Sequence, residues 1–168
     1  MKTLKSIFVA LLLTTITICA KAQATNAAIN NVVTAYLDVK NALTADDGAT
    51  AAAKAKMLAG QINAVKAADL SPVQQGTWKN YVDKLSFDSR HISETTAIDH
   101  QREHFASLSK NMYAVLKAVK VNNETLYLQY CPMKKAGWLS NKPEIENPYF
   151  GKSMPNCGSV KETLKATK

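Results

Sequence analysis

Between Ile98 and Val119 the chain carries one apolar stripe at helical period. Ile98, Phe105, Leu108, Met112, Val115, Leu116 and Val119 share a face over about six turns. A helix with one oily face is stable only when other elements cover that face, so the stripe demands a packed bundle or a sheet laid against it. The upstream sequence supplies helices. Ile29, Val32, Val33, Tyr36, Leu37 and Leu43 recur at helical spacing until Asp46-Asp47-Gly48 stops the run. An Ala-rich second helix comes next, capped by Asp47 or Thr50, with Met57, Leu58, Ile62 and Val65 on its buried side and an end near Ala68. Ser71-Pro72 is an N-cap followed by proline at the first helical position; it opens a third helix whose Trp78, Tyr81, Val82 and Leu85 mark one face, running to about Ile92. Ser93 or Thr95 starts the fourth.

After Val121-Asn122-Asn123 the period changes from helix to strand. Leu126, Leu128 and Tyr130 alternate with Tyr127, Gln129 and Cys131. The remainder of the chain, through Trp138-Leu139-Ser140 and Asn147-Pro148-Tyr149-Phe150-Gly151 to Cys157-Gly158, is too rich in Pro, Gly and Asn for regular helix. With only 6 Gly and 5 Pro in 168 residues, a large all-β fold is excluded as well. The expected fold is mainly α: a four-helix up-down bundle with a small irregular or β C-terminal lobe at about 124–160, a short hairpin within it, and Trp138, Tyr149 and Phe150 in the lobe's core.

Met1 to Ala22 has the form of an export signal, with Lys2 and Lys5 before an apolar run from Ile7 to Ile18 and Ala20-Lys21-Ala22 as the cleavage site. The run is shorter than the roughly 20 residues that a membrane-spanning helix needs. The organisation is therefore a signal peptide over 1–22 and one domain over 23–168, periplasmic or secreted, with no membrane span in the mature chain. Losing Lys2, Lys5 and Lys21 leaves 18 basic against 13 acidic side chains, a mild excess that reads as a solvated surface. Export also removes intracellular nucleic acid as a partner.

Cys19 leaves with the signal, so the mature chain holds Cys131 and Cys157 in an oxidising compartment. Met133 lies two residues from the first and Met154 three from the second. Two thiols and two thioethers suit a soft cation such as reduced copper, whereas a hard cation would want more carboxylate than Glu144 and Glu146 offer. A Cys131–Cys157 disulfide with Met133 and Met154 as ordinary core explains the same residues. Such a bridge contributes about 3–4 kcal/mol in the chain-entropy account, which matters to a lobe with little regular structure.

His100 and His104 stand four apart on the fourth helix, close enough to reach one ligand together. His104 lies about 70° from the centre of the apolar stripe and His100 about 110°, which puts His104 at the edge of the core and His100 nearer water. The order His100-Gln101-Arg102-Glu103-His104 is not the HExxH of a metallopeptidase. No GxSxG, phosphate loop or paired-carboxylate pattern stands out either, and the chain is read as a non-enzyme. His91 lies on the preceding helix with no direction fixed by its spacing.

The run from Asp99 to Phe105 with Leu108-Ser109, the Tyr130-Cys131-Pro132-Met133 segment, Trp138-Leu139-Ser140, Asn147-Pro148-Tyr149-Phe150-Gly151, and Met154 with Cys157-Gly158 together resemble a family of exported domains of unknown function. Members of that family occur as stand-alone proteins and as an extra domain on membrane-fusion subunits of copper/silver efflux pumps. The resemblance spans about Asn31 to Glu162. It implies heavy-metal handling, with copper as the ion, Cys131, Met133, Met154 and Cys157 as a sulfur cluster, His100 and His104 as nearby nitrogen ligands, and an efflux membrane-fusion subunit or pump as partner. Lys134-Lys135 depart from the family's usual continuation of Cys-Pro-Met and would weaken a cation site unless they face solvent. The competing expectation is a disulfide-locked interaction module without a metal role.

Overall fold

A computed structural model describes residues 27–167. The segment Met1–Ala22 expected to be an export signal, Cys19 included, lies outside the described residues. Four helices form the body: α1 (27–44), α2 (Gly48–Ala64), α3 (Pro72–Ser93) and α4 (Ile98–Val119). Three strands complete the chain, β1 (Leu126–Cys131), β2 (Ala136–Ser140) and β3 (Ser159–Leu164), in one antiparallel sheet of order β2-β1-β3. The fold is a mainly α bundle with a small β lobe, as the periodicity predicts.

Local chemistry sets the helix ends. Asp47 accepts the Thr50 N–H at 2.9 Å and caps α2. Ser71 opens α3 with a complete capping box, its hydroxyl accepting from Gln74 N while the Gln74 side chain accepts from Ser71 N. α4 begins without a side-chain cap on Ala97; neither Ser93 nor Thr95 is its N-cap, and Thr95 instead receives the Ala97 N–H from two residues before. Its stripe is buried as expected, Phe105, Leu108, Met112, Val115, Leu116 and Val119 all being in the core.

Two expectations need correction. Met57 is exposed, because α2 buries the face of Ala51, Ala55, Leu58 and Ile62, where methyl-sized side chains allow close packing and leave the longer Met57 outside; the helix also ends at Ala64, not near Ala68. The lobe is more regular than a hairpin: β3 adds a third strand beside β1, with a register shift between Leu128 and Gln129, and extends the lobe to Leu164.

The lobe docks on the bundle through named polar contacts around an aromatic core. Tyr36 of α1 and Phe105 of α4 stack with ring centres 5.3 Å apart, Phe105 meets Tyr149, and Tyr149 meets Trp138 edge-on. The buried Tyr36 hydroxyl shares a hydrogen bond with Ser109 and accepts the Leu139 N–H of β2 at 3.0 Å. Arg102 of α4 donates to the carbonyls of Pro148 and Leu43 and pairs with Asp46. Gly151 fits beneath that pair with φ of +51°, a conformation and a clearance that a Cβ would destroy.

Candidate functional site

β1 ends on Cys131, and the chain turns through Pro132 to Lys135 before β2; Lys135 takes the left-handed conformation that closes the hairpin. This turn lays the backbone N–H groups of Met133 and Lys134 against the Cys131 sulfur. Cys157 arrives from the other side, and the two Sγ atoms stand 2.8 Å apart although 26 residues separate them in sequence. At that separation the two sulfurs are not bonded to each other; Cys131 is buried and Cys157 half-buried.

The two thiols are inequivalent. Burial opposes charge on Cys131, but the Cys157 thiol, the Lys134 N–H, the Asn147 side chain and the Met133 N–H all stabilise its thiolate and together hold its pKa below the ordinary thiol value. Cys157 is pushed up because its proton is held by Cys131, with burial and the neighbouring charge adding to the effect. The two thiols therefore titrate as a unit in which Cys131 gives up its proton more readily than Cys157.

Asn147 builds this arrangement, and sequence reasoning missed it. Fully buried, its Nδ2 donates to the Cys157 carbonyl at 2.6 Å, its Oδ1 accepts from the backbone of Tyr149 and Phe150, and its own N–H donates to Pro155. The Asn147-Pro148-Tyr149-Phe150-Gly151 segment thus bends into a turn that carries Cys157 to the end of β1. An Asn two residues before an aromatic, in a Pro-containing turn, was the available signal.

The thioethers sit differently. Met133 is 65% exposed and contributes its backbone N–H to the sulfur pair, and Met154, half-buried, accepts the Cys157 N–H on its carbonyl. Lys134 and Lys135 are exposed, so their charges are screened by solvent.

The histidines gather elsewhere. The His104 side chain is 17% exposed and that of His100 50%, the order the helical wheel predicts. His104 turns toward α3, where Nδ1 lies 3.1 Å from an oxygen of the buried Asp88 carboxylate. Its ring stands 4.8 Å from that of His91 on α3 and 4.8 Å from that of His100. His91 in turn packs on Phe87 at 4.1 Å, with Nδ1 3.0 Å from the Phe87 carbonyl. The hydrogen bond and ring contacts of His104 therefore run to α3 and α4, while the sulfur pair is enclosed by the lobe. Among the described residues no three His, Cys, Asp or Glu side chains are gathered into a group that could hold a metal ion. Among the same residues no helix is long and apolar enough to cross a membrane.

A family model described as a protein of unknown function, DUF3347, matches residues 32–124, more than half of the chain. That segment takes in most of α1, all of α2 to α4 and all three histidines, and it ends before the lobe. No curated protein and no solved structure matches the chain.

Proposed function

The chain belongs to the DUF3347 family, and from that premise we propose that it is an exported heavy-metal-handling domain, a binding module and not a catalyst, whose soft-cation seat is the Cys131–Cys157 pair. The observation that carries the reading is the 2.8 Å approach of two thiols, of which Cys131 is made the easier to ionise by the Cys157 thiol and by the Lys134 and Met133 N–H groups. Thiolate is the ligating form of cysteine, and a thiophilic ion such as reduced copper displaces the thiol protons. Met133 and Met154 stand beside the pair in sequence as candidate thioether ligands, and an efflux membrane-fusion subunit or pump in the same compartment is the proposed partner.

The same distance favours a second reading. Two thiolates bound to one ion through bonds of about 2.3 Å lie roughly 3.8 Å apart or more, so the pair must open by about 1 Å to accept a metal. Closing into a disulfide takes a movement of similar size in the opposite direction and releases two electrons and two protons to an oxidant of the compartment. On this reading the bridge locks the lobe, and Trp138, Tyr149 and Phe150 support a partner surface.

Thiol counting on protein purified without reductant separates the two. Two free thiols and uptake of about one copper ion per chain support the metal seat; no free thiol supports the lock. Two free thiols with no uptake of copper or zinc contradict both.

A further inference from the structure

We propose that His91 of α3 and His104 of α4 form a second seat, for a borderline divalent cation of the Zn2+ or Cu2+ class, independent of the sulfur pair. Three observations carry it. The first is the tautomers. A carbonyl and a carboxylate accept hydrogen bonds only, so the 3.0 Å contact of His91 Nδ1 with the Phe87 carbonyl and the 3.1 Å contact of His104 Nδ1 with Asp88 place a proton on each Nδ1. In the neutral rings the lone pairs are then both on Nε2, the atoms left to ligate.

The second is spacing. Imidazoles bound to one ion through metal–nitrogen bonds of about 2.0 Å have ring centres roughly 5 Å apart. His91 and His104 stand at 4.8 Å with ring planes inclined by 31°, so two helices already hold the rings at that separation.

The third is charge. The Asp88 side chain is only 4% exposed and its carboxylate bonds to His104, the outer-shell carboxylate–imidazole arrangement that fixes the orientation of a ligand ring. Phe87 covers one side of the pair, its ring meeting both histidines. Two histidines are the whole fixed set, with water completing the coordination. His100, one turn before His104, has its ring at the same 4.8 Å from that of His104 but is half exposed, so water replaces it most easily.

Co2+, a spectroscopic stand-in for Zn2+, provides the test on the full mature chain. One bound Co2+ is expected with visible ligand-field bands and no sulfur-to-metal charge transfer. His91→Ala and His104→Ala should each weaken binding by about tenfold or more, Asp88→Asn by a smaller factor, and His100→Ala least. Far-ultraviolet circular dichroism checks that each variant folds. If an alanine variant does not fold, paramagnetic shifts of the imidazole signals in the unaltered chain decide instead: both His91 and His104 shifted supports the seat, and neither shifted overturns it. Absence of Co2+ binding, equal affinity in the folded His91→Ala and His104→Ala variants, or a charge-transfer band that vanishes in Cys131→Ser also overturns it, the last by moving the ion to the sulfur pair.

Discussion

Arg102 Nε donates to the carbonyl of Pro148 at 2.8 Å, which ties the centre of the lobe's Asn-Pro-Tyr-Phe-Gly turn to the first turns of α4. The same guanidinium holds Leu43 O and the Asp46 carboxylate at the end of α1. One side chain therefore joins three parts of the chain that no local pattern connects, and it anchors the turn that also positions Cys157.

Arg102→Met should cost about 2–3 kcal/mol, since the side chain is only 10% exposed and two carbonyls and a carboxylate lose their donor. Urea unfolding of the variant against the parent measures it. A change under about 0.5 kcal/mol, the range of an ordinary surface substitution, would mean that the lobe does not depend on this anchor.

Stability should fall in acid. Asp46 is held below the ordinary carboxylate range first by the Lys152 N–H and then by Arg102, and Glu146 by its hydrogen bond with the buried Lys40. Each carboxyl binds its proton less tightly folded than unfolded, so its contribution is fully present above about pH 5 and is lost as pH falls through the folded value. Unfolding measured from pH 6 to pH 3 should show this loss, and Glu146→Gln should flatten the slope; an unchanged slope in the variant counts against the pair.

The Ser71 capping box makes a local claim. Ser71→Ala should destabilise the chain by about 1 kcal/mol, and Ser71→Asp, which keeps an acceptor at the N-cap, by much less. Thermal denaturation of both variants checks the order.

Tyr36→Phe tests the seam between bundle and lobe. It keeps the stack on Phe105 but leaves the buried Leu139 N–H and the Ser109 hydroxyl without their partner, at a cost of about 1–3 kcal/mol. Hydrogen exchange at Leu139 should accelerate markedly in the variant, and unaltered protection there would contradict the seam.

The helices were legible in sequence because each carries its own period and stop signals, and the α4 stripe names its buried residues almost without error. β3 was not, because Ser159–Leu164 is mostly exposed and gives only Val160 and Leu164 as apolar residues, while its pairing with β1 is set by a bulge that leaves no trace in spacing. The nearness of Cys131 and Cys157 was legible as an alternative between bridge and ligand pair. Its geometry was not, since it depends on Asn147 folding a turn across 10 residues to reach the Cys157 carbonyl. His91 and Asp88 escaped for a related reason: spacing on one helix says which residues share its face, but not which face of a second helix they will meet.

Copper titration of the fully reduced chain at pH 7.5, repeated on Cys131→Ser with Met154→Leu, tests the metal-handling account most directly. The account predicts about one reduced copper ion per parent chain, bound through thiolate sulfur, and loss of that ion in the double variant while the helical circular dichroism is retained. Unchanged copper affinity in the folded double variant would contradict it.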